Sequence, residues 1–286
     1  MGAAVSHSSA ISPAPDQLLS GDGVTLEYYD VGPRDGQVVL CLHGLLDSCY
    51  HWGQDAHVTG PLVARGFRVV AASCRGHGSS SKHYDPAMYG DKLVDDQLRL
   101  LDALQVDKVH LVGYSMGAET AIALTVRHPG RVRSLCVCCS GWTESTKPYD
   151  DALFCLKCLK MFTCFCPCVC LLAMRCLGSA APVFDVGAGI ALTRSMGALV
   201  PVEEDAMRAI AVPVCGIAAE KDPERVTLER MEGVVPDFTL TVLPKVGHED
   251  APKHPLYRET IVKHIARAAE RNRCGKVVLD DDALLR

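Results

Sequence analysis

From Val24 onward, short apolar runs alternate with helical patterns. Val38 to Leu42, Phe67 to Ala72, Val109 to Val112, Val132 to Cys138, Val212 to Ala218 and Phe238 to Leu243 are apolar on both faces, as strands buried inside a parallel sheet must be. Between them, Asp91 to Leu104 places Val94, Leu98 and Leu101 at i, i+4 and i+7 with acidic residues in its first turn, which predicts a helix with one face on a core. Met116 to Arg127 predicts a second helix, stopped by His128-Pro129-Gly130. Strand, helix, strand repeated along a chain implies right-handed crossovers. The expected fold is therefore α/β: a doubly wound, mostly parallel sheet flanked by helices. The rhythm stops after Gly141 and resumes near Val212, which marks an insertion. Expected segments are a flexible N-terminal tail at 1–20, a core in two pieces at 21–141 and 212–274, an inserted helical cap at 142–211 and a C-terminal tail at 275–286.

Composition fits that plan. A chain of 286 residues, 48% hydrophobic and 22% charged, supports one large core, which can grow to roughly 250 to 300 residues before chains tend to divide. Net charge is -5 with no long basic run, so there is no electrostatic footprint for nucleic acid. The first twenty residues lack a basic start followed by an apolar stretch, so no secretory signal is expected and a cytoplasmic location is. In that reducing setting the fifteen cysteines are read as thiols, and an odd number cannot all pair.

The chemistry concentrates at Gly113-Tyr114-Ser115-Met116-Gly117, which follows the strand Val109 to Val112 and opens a helix. A sharp strand-to-helix turn crowds the backbone around Ser115, so residues without Cβ are needed two positions to either side. The turn lifts the hydroxyl above the sheet and aims the Met116 amide at the same space. A serine nucleophile needs a histidine base and a carboxylate to orient it. Asp222 and His248 follow Ser115 in that order, each just past a strand, where open α/β sheets place their ligands. Glu220 is the alternative orienting acid, and His43 and His77 are read as loop residues shaping the walls of the site.

Leu42-His43-Gly44, Arg75-Gly76-His77-Gly78-Ser79, the elbow at 113–117 and Gly247-His248 together resemble the α/β-hydrolase superfamily, specifically its capped serine hydrolases of the esterase and lipase type. The resemblance runs over residues 23 to 267. It implies Ser115, Asp222 and His248 as the catalytic triad and the backbone amides of Leu45 and Met116 as the oxyanion hole, with no cofactor or metal. It also implies hydrolysis of a carboxylic ester, with a lipid-like acyl substrate as the first choice. Thioester or carbon-carbon bond hydrolysis by the same triad, and a non-catalytic receptor for a small ligand, share these motifs. One departure concerns the second loop: the family carries an aspartate two residues before Arg-Gly, and this chain has Ser73 there. That predicts an altered way of pinning the loop.

Ten of the fifteen cysteines fall between Cys136 and Cys176, densest over Cys164 to Cys170. They fit a buried apolar inner face, a zinc site that would include Cys155 and Cys158, or membrane contact. For the last, Met161 to Met174 is uncharged, although it is shorter than the about 20 residues that span a bilayer. Met1-Gly2-Ala3-Ala4-Val5-Ser6 also fits the myristoylation pattern with Gly2 as acceptor. Peripheral attachment through Gly2 and the cap is the corresponding expectation.

Overall fold

The structure, a computed structural model, describes residues 16–19, 22–143, 146–165, 185–199 and 202–281. Among these, eight strands form one sheet: β1 (Asp16–Leu19), β2 (Thr25–Val31), β3 (Val38–Leu42), β4 (Arg68–Ala72), β5 (Val109–Tyr114), β6 (Val132–Cys138), β7 (Val214–Ala219) and β8 (Phe238–Leu243). Their order is β1-β2-β4-β3-β5-β6-β7-β8. β3 to β8 are parallel, and β1 with β2 adds an antiparallel edge. The helices are α1 (His51–Gln54), α2 (Thr59–Val63), α3 (Lys92–Ala103), α4 (Met116–Arg127), α5 (Lys147–Phe165), α6 (Val186–Ser195), α7 (Glu204–Arg208), α8 (Arg225–Glu229) and α9 (Pro255–Asp281).

Alternation of side chains across each strand feeds two cores, one on each face of the sheet. Val38, Leu40 and Leu42 of β3 join Leu93, Leu100 and Leu101 of α3 and Ile122 and Leu124 of α4. Val39 and Cys41 of the same strand join Trp52 of α1, Leu62 of α2 and Tyr257, Ile261 and Ile265 of α9. This is why apolar residues occupy both faces of the central parallel strands. The strand order reverses between β3 and β5, with β4 on one side and β6 to β8 on the other. Such a switch point splays the loops leaving the two strands apart and opens a crevice beyond their carboxyl ends.

The edge strands depart from the expectations. The tail predicted at 1–20 includes a strand, because Asp16–Leu19 pairs with Thr25–Leu26-Glu27-Tyr28. β2 itself escapes a periodicity reading because Glu27, a charged residue, is buried within it. Helix α9 continues through Cys274 to Asp281, since no proline follows to stop it. The remaining residues of both tails lie outside the described residues.

Between β6 and β7, α5 packs on α6, and α6 packs on the turn at Pro86–Met88. The Tyr84 hydroxyl donates to Asp185 Oδ2 at 2.9 Å, tying this segment to the loop after β4, and the Trp142 indole N–H donates to the Val202 carbonyl at 2.8 Å, joining its start to its end. Residues 166–184, with most of the Cys164 to Cys170 cluster, lie outside the described residues, as does Gly2. Among the described residues no helix is long and apolar enough to cross a membrane.

Candidate active site

β5 ends at Tyr114, α4 begins at Met116, and Ser115 between them has φ +53° and ψ −121°. This is a backbone conformation that L residues adopt at a cost of about 1–3 kcal/mol, held by its surroundings. The surroundings are visible. The Ser115 N–H donates to the Cys138 carbonyl at 2.8 Å and the Ser115 carbonyl accepts from the Ala118 N–H at 2.8 Å. A Cβ at Gly113 would lie 2.6 Å from Ala118 Cα, and one at Gly117 would lie 2.6 Å from the His43 carbonyl oxygen. Both glycines are therefore required by close approach: one by the turn itself, the other by contact with the loop after β3.

The turn sets Ser115 Oγ 3.0 Å from His248 Nε2, and His248 Nδ1 2.7 Å from Asp222 Oδ2. Asp222 is 5% exposed, and its Oδ1 accepts from the Glu224 N–H at 3.0 Å, so both oxygens are engaged. With a carboxylate at Nδ1, the imidazole carries its proton there and leaves Nε2 to accept from the serine hydroxyl. Burial alone would depress the His248 pKa. The hydrogen bond and charge of Asp222, joined by Glu249 and Glu224, outweigh it and raise the pKa above the ordinary histidine value. Glu220, the alternative acid, instead accepts from the Lys245 backbone N–H. The Tyr114 hydroxyl donates to the His248 carbonyl at 3.1 Å, so the residue beside the serine also holds the histidine loop.

Met116 follows the serine in sequence, and Leu45 follows Gly44. Gly44 is packed so closely that a Cβ there would lie 3.3 Å from Ser115 Cβ. Among the described residues, neither the Leu45 N–H nor the Met116 N–H donates to a protein acceptor. His43 and His77 hold this loop from behind. His43 Nε2 accepts from the Cys74 N–H at 2.9 Å, which leaves its Nδ1–H to donate to the Gly44 carbonyl at 2.7 Å. His77 Nε2 accepts from the Leu46 N–H at 3.2 Å. Burial pushes His43 down and His77 down to about 3, so both are neutral struts at pH 7.

The carboxylate absent at Ser73 is supplied from elsewhere. Ser73 Oγ donates to Glu27 Oε2 at 2.7 Å and accepts from the Cys49 N–H at 3.0 Å, while the Ser79 N–H reaches the same Glu27 oxygen at 2.9 Å. Glu27 on β2 thus pins the loop through Ser73. A second residue with no motif is Glu119, one turn into α4. It is buried, accepts from Ser140 Oγ at 3.0 Å and from the Tyr149 hydroxyl of α5, and burial raises its pKa to about 7. It joins the helix behind Ser115 to the inserted segment. Neither residue announces itself in sequence, because each acts on partners at least 21 positions away.

Trp52 and Trp142 are both buried, and the Arg230 guanidinium lies 4.2 Å from the Trp142 ring centre. The described group able to hold a metal is Asp47, His51 and Asp55, whose ligand atoms lie within 4.8 Å of one another. His51 Nδ1 is already 2.6 Å from Asp47 Oδ2, and its ring stacks on Tyr114, so hydrogen bonding and packing account for this cluster. The sulfurs of Cys155 and Cys158 belong to no such group among the described residues.

A family profile for the alpha/beta hydrolase fold matches residues 37–154, the stretch from β3 through the serine turn to the start of α5. Solved structures with the same architecture include a hydrolase from Pseudomonas aeruginosa, with 22% identity and a TM-score of 0.68 over 88% of this chain and 97% of that one. The chain has the α/β-hydrolase fold. Another structure with this fold is the enol-lactonase from Burkholderia xenovorans, with 20% identity and a TM-score of 0.68 over 88% of this chain and all of that one. A curated relative is the 2-hydroxy-6-oxononadienedioate/2-hydroxy-6-oxononatrienedioate hydrolase of Paraburkholderia xenovorans, 34% identical over 139 residues. The match spans 46% of each chain, under half the length of that relative.

Proposed function

We propose that the protein is a serine hydrolase acting on carboxylic esters, with a lipid-like acyl ester as substrate. The observation that carries this reading is the continuous hydrogen-bonded line from Ser115 Oγ through His248 to Asp222. His248 Nε2 takes the Ser115 proton as Oγ attacks the carbonyl carbon. The amides of Leu45 and Met116 receive the oxyanion, a term worth about 2.7–4 kcal/mol per donor in well-studied cases. His248 then returns the proton to the leaving alcohol, and water repeats the sequence on the acyl-enzyme. Asp222 fixes the imidazole tautomer and steadies its charged form. The apolar composition of residues 153 to 174 supports a long acyl chain. Attachment of the chain to a membrane surface through Gly2 is part of the same proposal, and is tested by comparing the fractionation of wild type and Gly2→Ala.

Labelling by a fluorophosphonate, which phosphonylates an activated serine with loss of fluoride, tests the chemistry. Wild type is labelled and Ser115→Ala is not; equal labelling of the two, or none of either, defeats the proposal and leaves the non-catalytic receptor. A panel of p-nitrophenyl esters from acetyl to palmitoyl then reads the acyl length. A second reading, carbon-carbon bond hydrolysis by the same residues, draws on the name of the Paraburkholderia xenovorans relative. It predicts labelling at Ser115 with no turnover of any ester in the panel.

A further inference from the structure

At the end of the sheet opposite Ser115, the starts of β7 and β8 and residues 260–271 of α9 line an open cavity of about 260 Å³. Small-ligand sites run from roughly 300 to 1,000 Å³, so this one suits a headgroup-sized molecule. Its helical wall carries Lys263, Arg267 and Arg271 at four-residue steps, which places them on one face. Its strand wall carries the hydroxyls of Thr239 and Thr241, two positions apart on β8.

Lys263, Arg267 and Arg271 are exposed along this wall. Glu259 and Glu270 stand within one turn of Lys263 and Arg267 in sequence, yet among the described residues neither cation has an ion-pair partner. Only Arg271 is paired, with Asp237 Oδ2 at 2.7 Å. Three cations therefore face one carboxylate, in a chain whose net charge is -5. His264 lines the same cavity, and its Nε2 is buried without a hydrogen-bond partner. Its ring is neutral, because burial pushes its pKa to about 4. Cations beside hydroxyl donors suit a phosphate-bearing anion.

We propose that this cavity binds a phosphate monoester, with Lys263 and Arg267 on the phosphate oxygens and the threonine hydroxyls donating beside them. Free small esters and phosphorylated lipid headgroups share that chemistry. Titration of the full chain with glycerol phosphate, followed by calorimetry, tests the first source. Flotation with phosphatidylcholine vesicles containing phosphatidylinositol 4-phosphate tests the second. The result expected is saturable binding in at least one arm. It should weaken by about tenfold or more when one charge-assisted contact is removed, in Lys263→Gln and in Arg267→Gln, and stay unchanged in Ser115→Ala. Binding in solution identifies a soluble ester, and binding to vesicles alone identifies a headgroup. Absence of saturable binding in both arms, or equal affinity of both glutamine variants and wild type, overturns the proposal. Fluorophosphonate labelling of the two variants at the wild-type rate shows that they are folded, and the binding result stands whatever reaction Ser115 performs.

Discussion

Replacing Glu119 by glutamine removes one buried titration while keeping the shape of the side chain. Glu119 is 6% exposed. Burial raises its pKa from 4.5 to about 7, against the opposing hydrogen bonds from Tyr149 and Ser140. A carboxyl whose folded pKa lies above its unfolded value contributes its stability fully below the unfolded value and loses it as pH rises through the folded one. The window therefore runs from pH 4.5 to about 7. At 1.36 kcal/mol per pKa unit, the shift from 4.5 to about 7 is worth about 3 kcal/mol as an upper bound. That corresponds to roughly 6–12 °C in Tm for a domain of this size. Glutamine still offers one acceptor and one donor to the two hydroxyls and never ionises. Urea denaturation of both proteins from about pH 4.5 to about pH 8 should show the variant gaining on wild type by that amount as pH rises. His77 and His110, which burial pushes to about 3, cost stability as pH falls below 6.5, but they are present in both proteins and cancel from the comparison. Stability curves that stay parallel across the window refute the reasoning.

Asp222→Asn should keep the fold and lower kcat by about 10⁴-fold, because an amide at Nδ1 favours the wrong imidazole tautomer; steady-state kinetics on an active ester decides it. Since Asp222 raises the His248 pKa, the acid limb of kcat/KM should lie above pH 6.5 in wild type, and a limb below that value contradicts the assignment. Gly117→Ala should cost about 1–3 kcal/mol or more and abolish labelling of Ser115, because the methyl meets the backbone carbonyl of His43 at 2.6 Å. Gly53→Ala, with nothing within 4 Å, should be neutral or stabilise by up to about 1 kcal/mol, and equal losses for the two would discount the steric argument. Ser73→Ala leaves the buried Cys49 N–H without an acceptor and should cost about 1–3 kcal/mol by denaturation.

Ser115 was legible because a nucleophile turn needs particular residue types at fixed short spacing, and a strand and a helix flank it with their own periods. Strands β3 to β7 were legible for a related reason: burial on both faces leaves few polar positions to blur the pattern, whereas β8 at the sheet edge exposes Thr239 and Val242. β2 was not, because Glu27 breaks its apolar pattern, and Glu27 is buried there to accept hydrogen bonds from Ser73 and Ser79. Asp222 and Glu220 were both open in the sequence, two residues apart at the end of one strand. Only the path of the loop, which turns Asp222 to His248 and Glu220 to the Lys245 backbone, separates them.

The sequence by itself determined what depends on neighbours along the chain: strand and helix periods, the glycines around Ser115, and the order of serine, acid and histidine. Tertiary structure decided what depends on residues that meet across the fold. It let Glu27 stand in for the carboxylate missing at position 73, placed Glu119 under the inserted segment, and gathered Lys263, Arg267 and His264 against Thr239 and Thr241. Hydrogen bonds and charges act over a few ångströms whatever the separation in sequence, so such partnerships leave no period or spacing to read.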